Sequence, residues 1–95
     1  MHATIHRHHG VTGSTEEVMR AGRELAATLS GVSGFISCAL LEAGDAVIVA
    51  VCVFETEEAL TDGERLAGLW HEKQPALLPR PPEVTAGEVI VQRGM

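Results

Sequence analysis

The segment at residues 35–54 constrains the fold more than any other part of the chain. Its sequence is FISCALLEAGDAVIVAVCVF. Two apolar runs flank the turn-forming sequence Glu-Ala-Gly-Asp, a pattern typical of a β-hairpin. Along the second run, valines alternate with four other apolar residues, namely Ile48, Ala50, Cys52 and Phe54. Both faces of this strand are therefore apolar, and both must be covered.

The length of the hairpin loop decides how the two cysteines face each other. A three-residue loop, Gly44-Asp45-Ala46, would set Cys38 opposite Cys52, whereas a two-residue loop would not. The sequence leaves both loops open. Two small buried thiols in a reducing compartment are favoured over a disulfide.

Strands and helices alternate around this hairpin. Residues 3–11 are predicted to form the first strand, and a capping box at Ser14 and Glu17 begins a helix that runs to about residue 30. Gly22 lies on the apolar stripe of that helix, which predicts a close contact with the sheet. A second helix, capped by Thr56, covers residue 57 to about residue 73. The last strand is predicted over residues 83–92, with residues 89–91 as its apolar part and a bulge or close approach at Gly87.

The order β-α-β-β-α-β predicts one α+β domain over residues 1–95. A right-handed crossover with both helices on one face gives a ferredoxin-like antiparallel sheet of order 4-1-3-2. The other face of the sheet then remains apolar and uncovered. The simplest cover is a second copy of the chain, with two sheets face to face in a homodimer.

Charge and composition exclude several partners. The 95 residues include 13 acidic and 7 basic side chains, a net charge of -6, and no run of Lys or Arg. Nucleic acid and anionic membranes are therefore not expected as partners. No apolar run reaches the roughly 20 residues of a membrane span, and the first ten residues lack the apolar core of a signal peptide. We expect a cytoplasmic protein.

In these features the chain resembles the antibiotic biosynthesis monooxygenase-like branch of the dimeric α/β-barrel superfamily. The resemblance rests on the opening strand ATIHRHHGV, the Pro-free stretch GVSGFISCALLEAGDAVIVAVCVFETEEAL, Trp70 on the second helix, and the ending LLPRPPEVTAGEVIV. The most specific piece is Phe54-Glu55-Thr56 followed by an acidic helix start. The resemblance implies a ferredoxin-like homodimer with a pocket between sheet and helices.

What the resemblance implies about activity depends on the relatives compared. Some oxidise polyketide-derived aromatics with dioxygen and without metal or flavin, while others degrade haem, cyclise polyketides or have no known activity. The haem-degrading pattern has Asn on the first strand, Trp on the second helix and a later His as haem ligand. Trp70 matches that Trp, but the first strand contains no Asn. No His follows His71, so the haem ligand is missing unless His71 itself takes that role. Cofactor-free oxygenation is therefore the activity expected, with no cofactor.

The first strand carries the densest group of polar candidates. His6 and His8 share a face with Thr4 and are the candidate catalytic residues, because imidazole is the usual general base near neutral pH. Two His without a nearby Cys, Asp or Glu form a weak metal site, so no metal is expected. If the other face turned inward, Arg7 and His9 would line the pocket instead. The alternative to any site is a solvated strand end.

Trp70, Arg7 and His71 are the candidate substrate-binding residues. Trp70 is the sole Trp and either forms the wall of an aromatic pocket or packs in the core. His71 lies about 100° further around the helix, so the two side chains are not both expected to face the pocket. The carboxylates of the second helix are predicted to form a solvated face: Glu57, Glu58, Asp62 and Glu64.

Two functions fit the sequence. The first is a cofactor-independent monooxygenase acting on an aromatic or polyketide-like small molecule, and it predicts a cavity that reaches His6 or His8. The second is a non-catalytic homodimer that binds a small molecule or has a structural role, and it predicts an interface packed shut around Trp70.

Overall fold

A four-stranded antiparallel sheet with two helices packed on one face makes up residues 1–94, which are the residues described by the computed structural model. The elements are β1 (His2–His8), α1 (Thr15–Ser30), β2 (Phe35–Glu42), β3 (Ile48–Phe54), α2 (Glu57–Glu72) and β4 (Glu83–Glu88). The strand order is β2-β3-β1-β4, which is the predicted order 4-1-3-2 counted from the other edge. The ferredoxin-like α+β fold is confirmed.

The β2–β3 hairpin closes with the longer of the two loops considered. The Ala43 amide donates to the Val47 carbonyl oxygen at 2.9 Å, so that Gly44, Asp45 and Ala46 form the loop. All three have positive φ, at 80°, 50° and 59°. In this register Cys38 lies opposite Cys52.

Both helices begin at the predicted caps. The Ser14 hydroxyl accepts from the Glu17 amide at 3.2 Å, and the Glu17 carboxylate accepts from the Ser14 amide at 3.2 Å. The Thr56 hydroxyl accepts from the Ala59 amide at 3.1 Å. These bonds satisfy amides that the first helical turn leaves without partners.

Two glycines allow the helices to approach the sheet. A Cβ atom at Gly22 would lie 2.8 Å from a methyl carbon of Leu40, which confirms the predicted close contact of α1. A Cβ atom at Gly63 in α2 would lie 2.4 Å from Cζ of Phe54. Each helix therefore meets the sheet at a position where only glycine fits without displacement.

The core lies between the helices and the inner face of the sheet. Its buried members include Leu25 and Leu29 of α1, Phe54 of β3 and Trp70 of α2. The indole N–H of Trp70 donates to the Ala21 carbonyl oxygen at 2.9 Å, which ties α2 to α1.

The first and last strands of the chain are shorter than predicted. β1 ends at His8 rather than residue 11, because Gly10 turns the chain with a φ of 64°. β4 ends at Glu88 rather than residue 92. Its pairing partner β1 begins at His2, and the last backbone bond joins the Val89 amide to the Met1 carbonyl oxygen at 2.9 Å. Ile90 and Val91 continue beyond the sheet, largely exposed.

The predicted irregularity at Gly87 is wrong. Gly87 pairs with Ala3 in an unbroken β1–β4 register, and no atom lies within 4 Å of where its Cβ would be. The irregularity of the sheet lies instead between Phe35 and Ser37 on β2.

The face of the sheet opposite the helices carries alternate side chains of every strand. Ile5 of β1 and Leu41 of β2 are exposed by 39% and 53%, while Val51 of β3 is half-buried between them. No helix within residues 1–94 is long and apolar enough to cross a bilayer.

Candidate functional site

A cavity of about 220 Å³ lies between the sheet and the two helices. Most of its wall is apolar and comes from α1, β3 and α2: Leu25, Leu29, Ala50, Cys52, Phe54 and Trp70. Polar side chains line one side of it: Thr4, His6, His8, Glu64 and His71. An apolar cavity with few polar groups is typical of a small-molecule site.

The structure brings together four of the five residues selected from the sequence. His6, His8, Trp70 and His71 all border the cavity. Arg7 does not, because side chains alternate along β1 and Arg7 is exposed on the opposite face. The orientation that would have turned Arg7 and His9 inward is not adopted, and His9 instead contacts the Glu83 carboxylate at 2.7 Å.

Glu64 joins this group although the sequence analysis assigned it to a solvated face. The His6 Nε2–H group donates to its carboxylate at 2.7 Å. A signal for this position was available, since Glu64 lies four residues after Leu60 and three before Ala67, both partly buried. It was missed because the neighbouring carboxylates of α2 do face solvent.

The ionisation of Glu64 reflects two opposing effects. Burial is the largest single effect and would raise the pKa of this carboxyl group, but the hydrogen bond and charge of His6, together with the Thr4 hydroxyl, outweigh it and lower the pKa below the ordinary 4.5. The Thr4 hydroxyl acts in the same direction, although it forms no hydrogen bond of normal geometry with any group in residues 1–94. Glu64 is therefore an anion at neutral pH and orients the imidazole of His6.

His8 is the most enclosed imidazole of the site, exposed by 3%. Burial, with the nearby His6 and His71, lowers its pKa from 6.5 to about 4. Its ring packs edge-on against Trp70, with centroids 6.3 Å apart, and stacks on His71 at 5.6 Å. His8 is therefore neutral at physiological pH and can donate or accept a hydrogen bond.

Trp70 and His71 both border the cavity, although they lie about 100° apart around α2 and are not both expected to face it squarely. The indole N–H of Trp70 is already bonded to Ala21, which leaves the ring face and edge for contact. Nε2 of His71 lies 3.1 Å from the Arg80 carbonyl oxygen.

Two buried polar atoms beside the cavity lack hydrogen-bond partners. Within residues 1–94, neither the hydroxyl oxygen of Thr4 nor Nδ1 of His8 has one. Buried polar atoms in native proteins are nearly always paired. Both residues line the cavity, so a molecule bound there is a candidate partner for these atoms.

No metal centre was recognised among the described side chains. No group of three or more His, Cys, Asp or Glu residues in that part of the chain could hold a metal ion. The polar side chains of the cavity act instead on each other and on whatever the cavity binds.

Comparison with known proteins identifies structures of similar fold. No protein-family model matches the chain, and no curated protein matches it. Solved structures do match. A Nitrosomonas europaea protein assigned by name to the antibiotic biosynthesis monooxygenases has a TM-score of 0.77 at 16% identity, over 96% of this chain and 100% of its own.

Two further structures carry more specific names. A mutant of SnoaB, a cofactor-independent oxygenase from Streptomyces nogalater, has a TM-score of 0.68 at 19% identity, with 99% of this chain and 95% of that chain covered. A mutant of MhuD with two manganese protoporphyrin IX per active site has a TM-score of 0.72 at 17% identity, covering all of both chains (100% and 100%).

The chain shares the fold of solved structures that are named antibiotic biosynthesis monooxygenase or cofactor-independent oxygenase.

Nearly the whole chain has an equivalent in each of the three compared structures. Since identities are below 20%, the likeness carries no residue roles. The chemistry of the cavity has to be argued from the side chains that line it in this chain.

Proposed function

We propose that this protein binds an aromatic small molecule in the cavity and oxidises it with dioxygen, as a cofactor-independent monooxygenase. The observation that carries the proposal is the pairing of His6 with Glu64 at the edge of an otherwise apolar cavity. The structural likeness to a cofactor-independent oxygenase supports the same reaction class.

The His6–Glu64 pair has the arrangement of a general base. Because Nε2–H of His6 donates to the Glu64 carboxylate, Nδ1 is left as the basic nitrogen. Glu64 stabilises the imidazolium that forms when His6 removes a proton from a substrate. Neutral His8 and the Thr4 hydroxyl supply hydrogen bonds to substrate oxygens.

Deprotonation is the step that such a reaction needs from the protein. An electron-rich aromatic anion passes an electron to dioxygen, and the two radicals combine as a peroxide. Loss of water then converts a ring CH₂ group into a carbonyl: one oxygen atom enters the product, and the other leaves as water with both hydrogens of the oxidised carbon. The substrate supplies all the electrons, so no cofactor is required.

Cavity size limits the substrate. A cavity of roughly 150 Å³ accommodates benzene, so about 220 Å³ suits one or two fused rings. A haem does not fit the described residues. His6 is bonded to Glu64, His71 contacts a backbone carbonyl, and His8 is enclosed by aromatic rings. None of these three imidazoles is therefore free to ligate a haem iron.

We further propose that the protein acts as a homodimer through the open face of the sheet. Ile5 and Leu41 are exposed there beside the valine row of β3. Burying a large aliphatic side chain stabilises by roughly 1.5–3 kcal/mol, which favours pairing of two such faces.

The test combines binding and turnover. Emission of Trp70 is followed during titration with hydroxylated naphthalenes, and oxygen uptake is measured in air, with nitrogen as the blank. We expect saturable quenching, and oxygen uptake that His6→Ala and Glu64→Gln reduce by roughly 10²-fold or more. His9→Ala, next along the chain but outside the cavity, is the matched control and should retain activity.

Two outcomes contradict the proposal. Saturable binding without oxygen uptake would identify a non-catalytic binding protein, which is the second function considered from the sequence. Absence of both quenching and oxygen uptake would exclude small aromatic ligands.

A further inference from the structure

Two free thiols face each other across the two strands of the central hairpin. Cys38 of β2 and Cys52 of β3 are directly opposed, and their sulfur atoms lie 3.2 Å apart without a covalent bond. Opposed residues in antiparallel strands have Cα atoms about 4.5–5.5 Å apart, within the roughly 4.4–6.8 Å that a disulfide spans. A disulfide could therefore form by rotation of the side chains alone.

The two thiols open onto different surfaces. Cys52 is buried and borders the cavity, whereas Cys38 is partly exposed and borders a separate groove of about 310 Å³ between α1 and β2. That groove is mostly apolar and includes Met19, Ala26 and Leu40. A small neutral oxidant arriving from solvent along the groove meets Cys38 first.

We propose that Cys38 and Cys52 form a peroxide-sensitive modification site, in which Cys38 reacts first and Cys52 then closes a reversible disulfide between β2 and β3. This inference does not depend on the proposed oxygenase activity. The reactant is hydrogen peroxide or a small organic hydroperoxide.

The chemistry balances without any further reactant. The Cys38 thiolate attacks one oxygen of hydrogen peroxide, the O–O bond breaks, and hydroxide leaves a sulfenic acid behind. The Cys52 sulfur then attacks the Cys38 sulfur, the S–O bond breaks and the S–S bond forms. The two thiols lose two electrons and two protons, and the peroxide leaves as two molecules of water.

The electrostatics of the pair favour this order. The hydrogen bond donated by the Cys52 thiol lowers the pKa of Cys38 in spite of burial, and His6 acts in the same direction. The same hydrogen bond, together with burial, raises the pKa of Cys52. Thiolate character therefore concentrates on the more accessible sulfur.

The experiment follows oxidation of the reduced full-length protein by equimolar hydrogen peroxide. We expect an intact mass lower by two hydrogen atoms, a cross-link between the Cys38 and Cys52 peptides, full reversal by dithiothreitol, and a higher Tm for the oxidised form. In Cys52→Ser, the sulfenic acid on Cys38 should persist long enough for trapping by dimedone. In Cys38→Ser, peroxide consumption should be roughly tenfold slower.

Other outcomes overturn the proposal. These are a disulfide between two chains, over-oxidation of the wild type to sulfinic acid without a cross-link, or equal peroxide rates for the two variants. If a serine variant does not fold, limited alkylation of the wild type replaces it: Cys38 must be labelled before Cys52. Phenylarsine oxide, which needs two adjacent thiols, must bind the reduced wild type and neither single variant.

Discussion

The contact between His6 and Glu64 shows how one residue can change the character of a cavity. Without Glu64 the imidazole would face an apolar space with no fixed orientation. With Glu64 present, Nε2 of His6 donates a hydrogen bond to the carboxylate, and Nδ1 remains available to accept a proton. The same chain offers a comparison on its surface, where His9 lies 2.7 Å from Glu83 with both side chains far more exposed.

We expect a difference in coupling energy between these two pairs. In a double-mutant cycle at about pH 6, His6→Ala and Glu64→Ala should couple by roughly 1 kcal/mol, since both groups are partly desolvated. The exposed pair His9 and Glu83 should couple by about 0–0.5 kcal/mol because solvent screens it. Urea unfolding of the single and double variants measures both. Equal coupling energies would contradict a special role for the inner pair.

His8 should make stability depend on pH in a defined range. Its pKa is 6.5 when unfolded and about 4 when folded, so the unfolded chain binds the proton more tightly. The free energy of unfolding therefore carries no cost from His8 above pH 6.5. It decreases as the pH falls toward 4, by roughly 3 kcal/mol in total. Glu64, whose pKa is lowered, adds a separate loss as pH falls below its ordinary 4.5.

His8→Phe removes the titrating group but keeps a ring beside Trp70. We expect urea midpoints to fall less steeply with pH in this variant than in the wild type, above the range in which Glu64 titrates. His9→Phe serves as the control and should retain the wild-type slope. An unchanged slope in His8→Phe would show that another group accounts for the acid sensitivity.

At the scale of elements, α2 positions the site through its contact with β3. Gly63 lies against the ring of Phe54, and this close approach fixes how Glu64 and Trp70 are presented to the cavity. Gly68, one turn further on, has no atom within 4 Å of where its Cβ would be. The two glycines therefore have opposite effects on the stability of one helix.

Alanine substitution should separate them. Gly63→Ala is expected to destabilise the protein by roughly 1–3 kcal/mol, because a methyl group would overlap the Phe54 ring. Gly68→Ala should stabilise by roughly 0.5–1 kcal/mol, because alanine favours the helix and meets no obstacle. Thermal unfolding of both variants measures this, and a stabilising Gly63→Ala would disprove the close packing of α2.

At the scale of the whole molecule, the proposed oligomeric state depends on the face of the sheet opposite the helices. Helices cover one face; on the other, Val49 and Val53 are buried among their neighbours, but Ile5 and Leu41 are exposed by 39% and 53%. The proposed homodimer places a second copy there.

Ile5→Asp should convert the dimer to a monomer, because a carboxylate would be buried without a partner at the centre of the interface. Leu69→Asp is the matched control: Leu69 is exposed by 47% on α2, and its substitution should leave the dimer intact. Sedimentation equilibrium distinguishes the two. Dissociation by Leu69→Asp but not by Ile5→Asp would place the interface on the helices.

The sequence predicted the order of elements because each signal is local: the caps at Ser14 and Thr56 and the apolar hairpin. It did not predict where β4 ends, because that depends on β1 beginning at His2, far away in sequence. The site shows the same division. Alternation along β1 placed His6 and His8 together, but the pairing of His6 with Glu64 joins residues 58 positions apart.

The strand order has a consequence for how the protein is made on the ribosome. β2 and β3 are neighbours in sequence and can pair as soon as both have emerged, but β1 must wait for β3, and β4 pairs with β1 alone. Pairing between strands far apart in sequence is slow to form. Among the residues that border the cavity, Pro82 and Val84 are synthesised after all the others. We therefore expect a stalled nascent chain that lacks β4 to have a protected hairpin and an unfinished cavity.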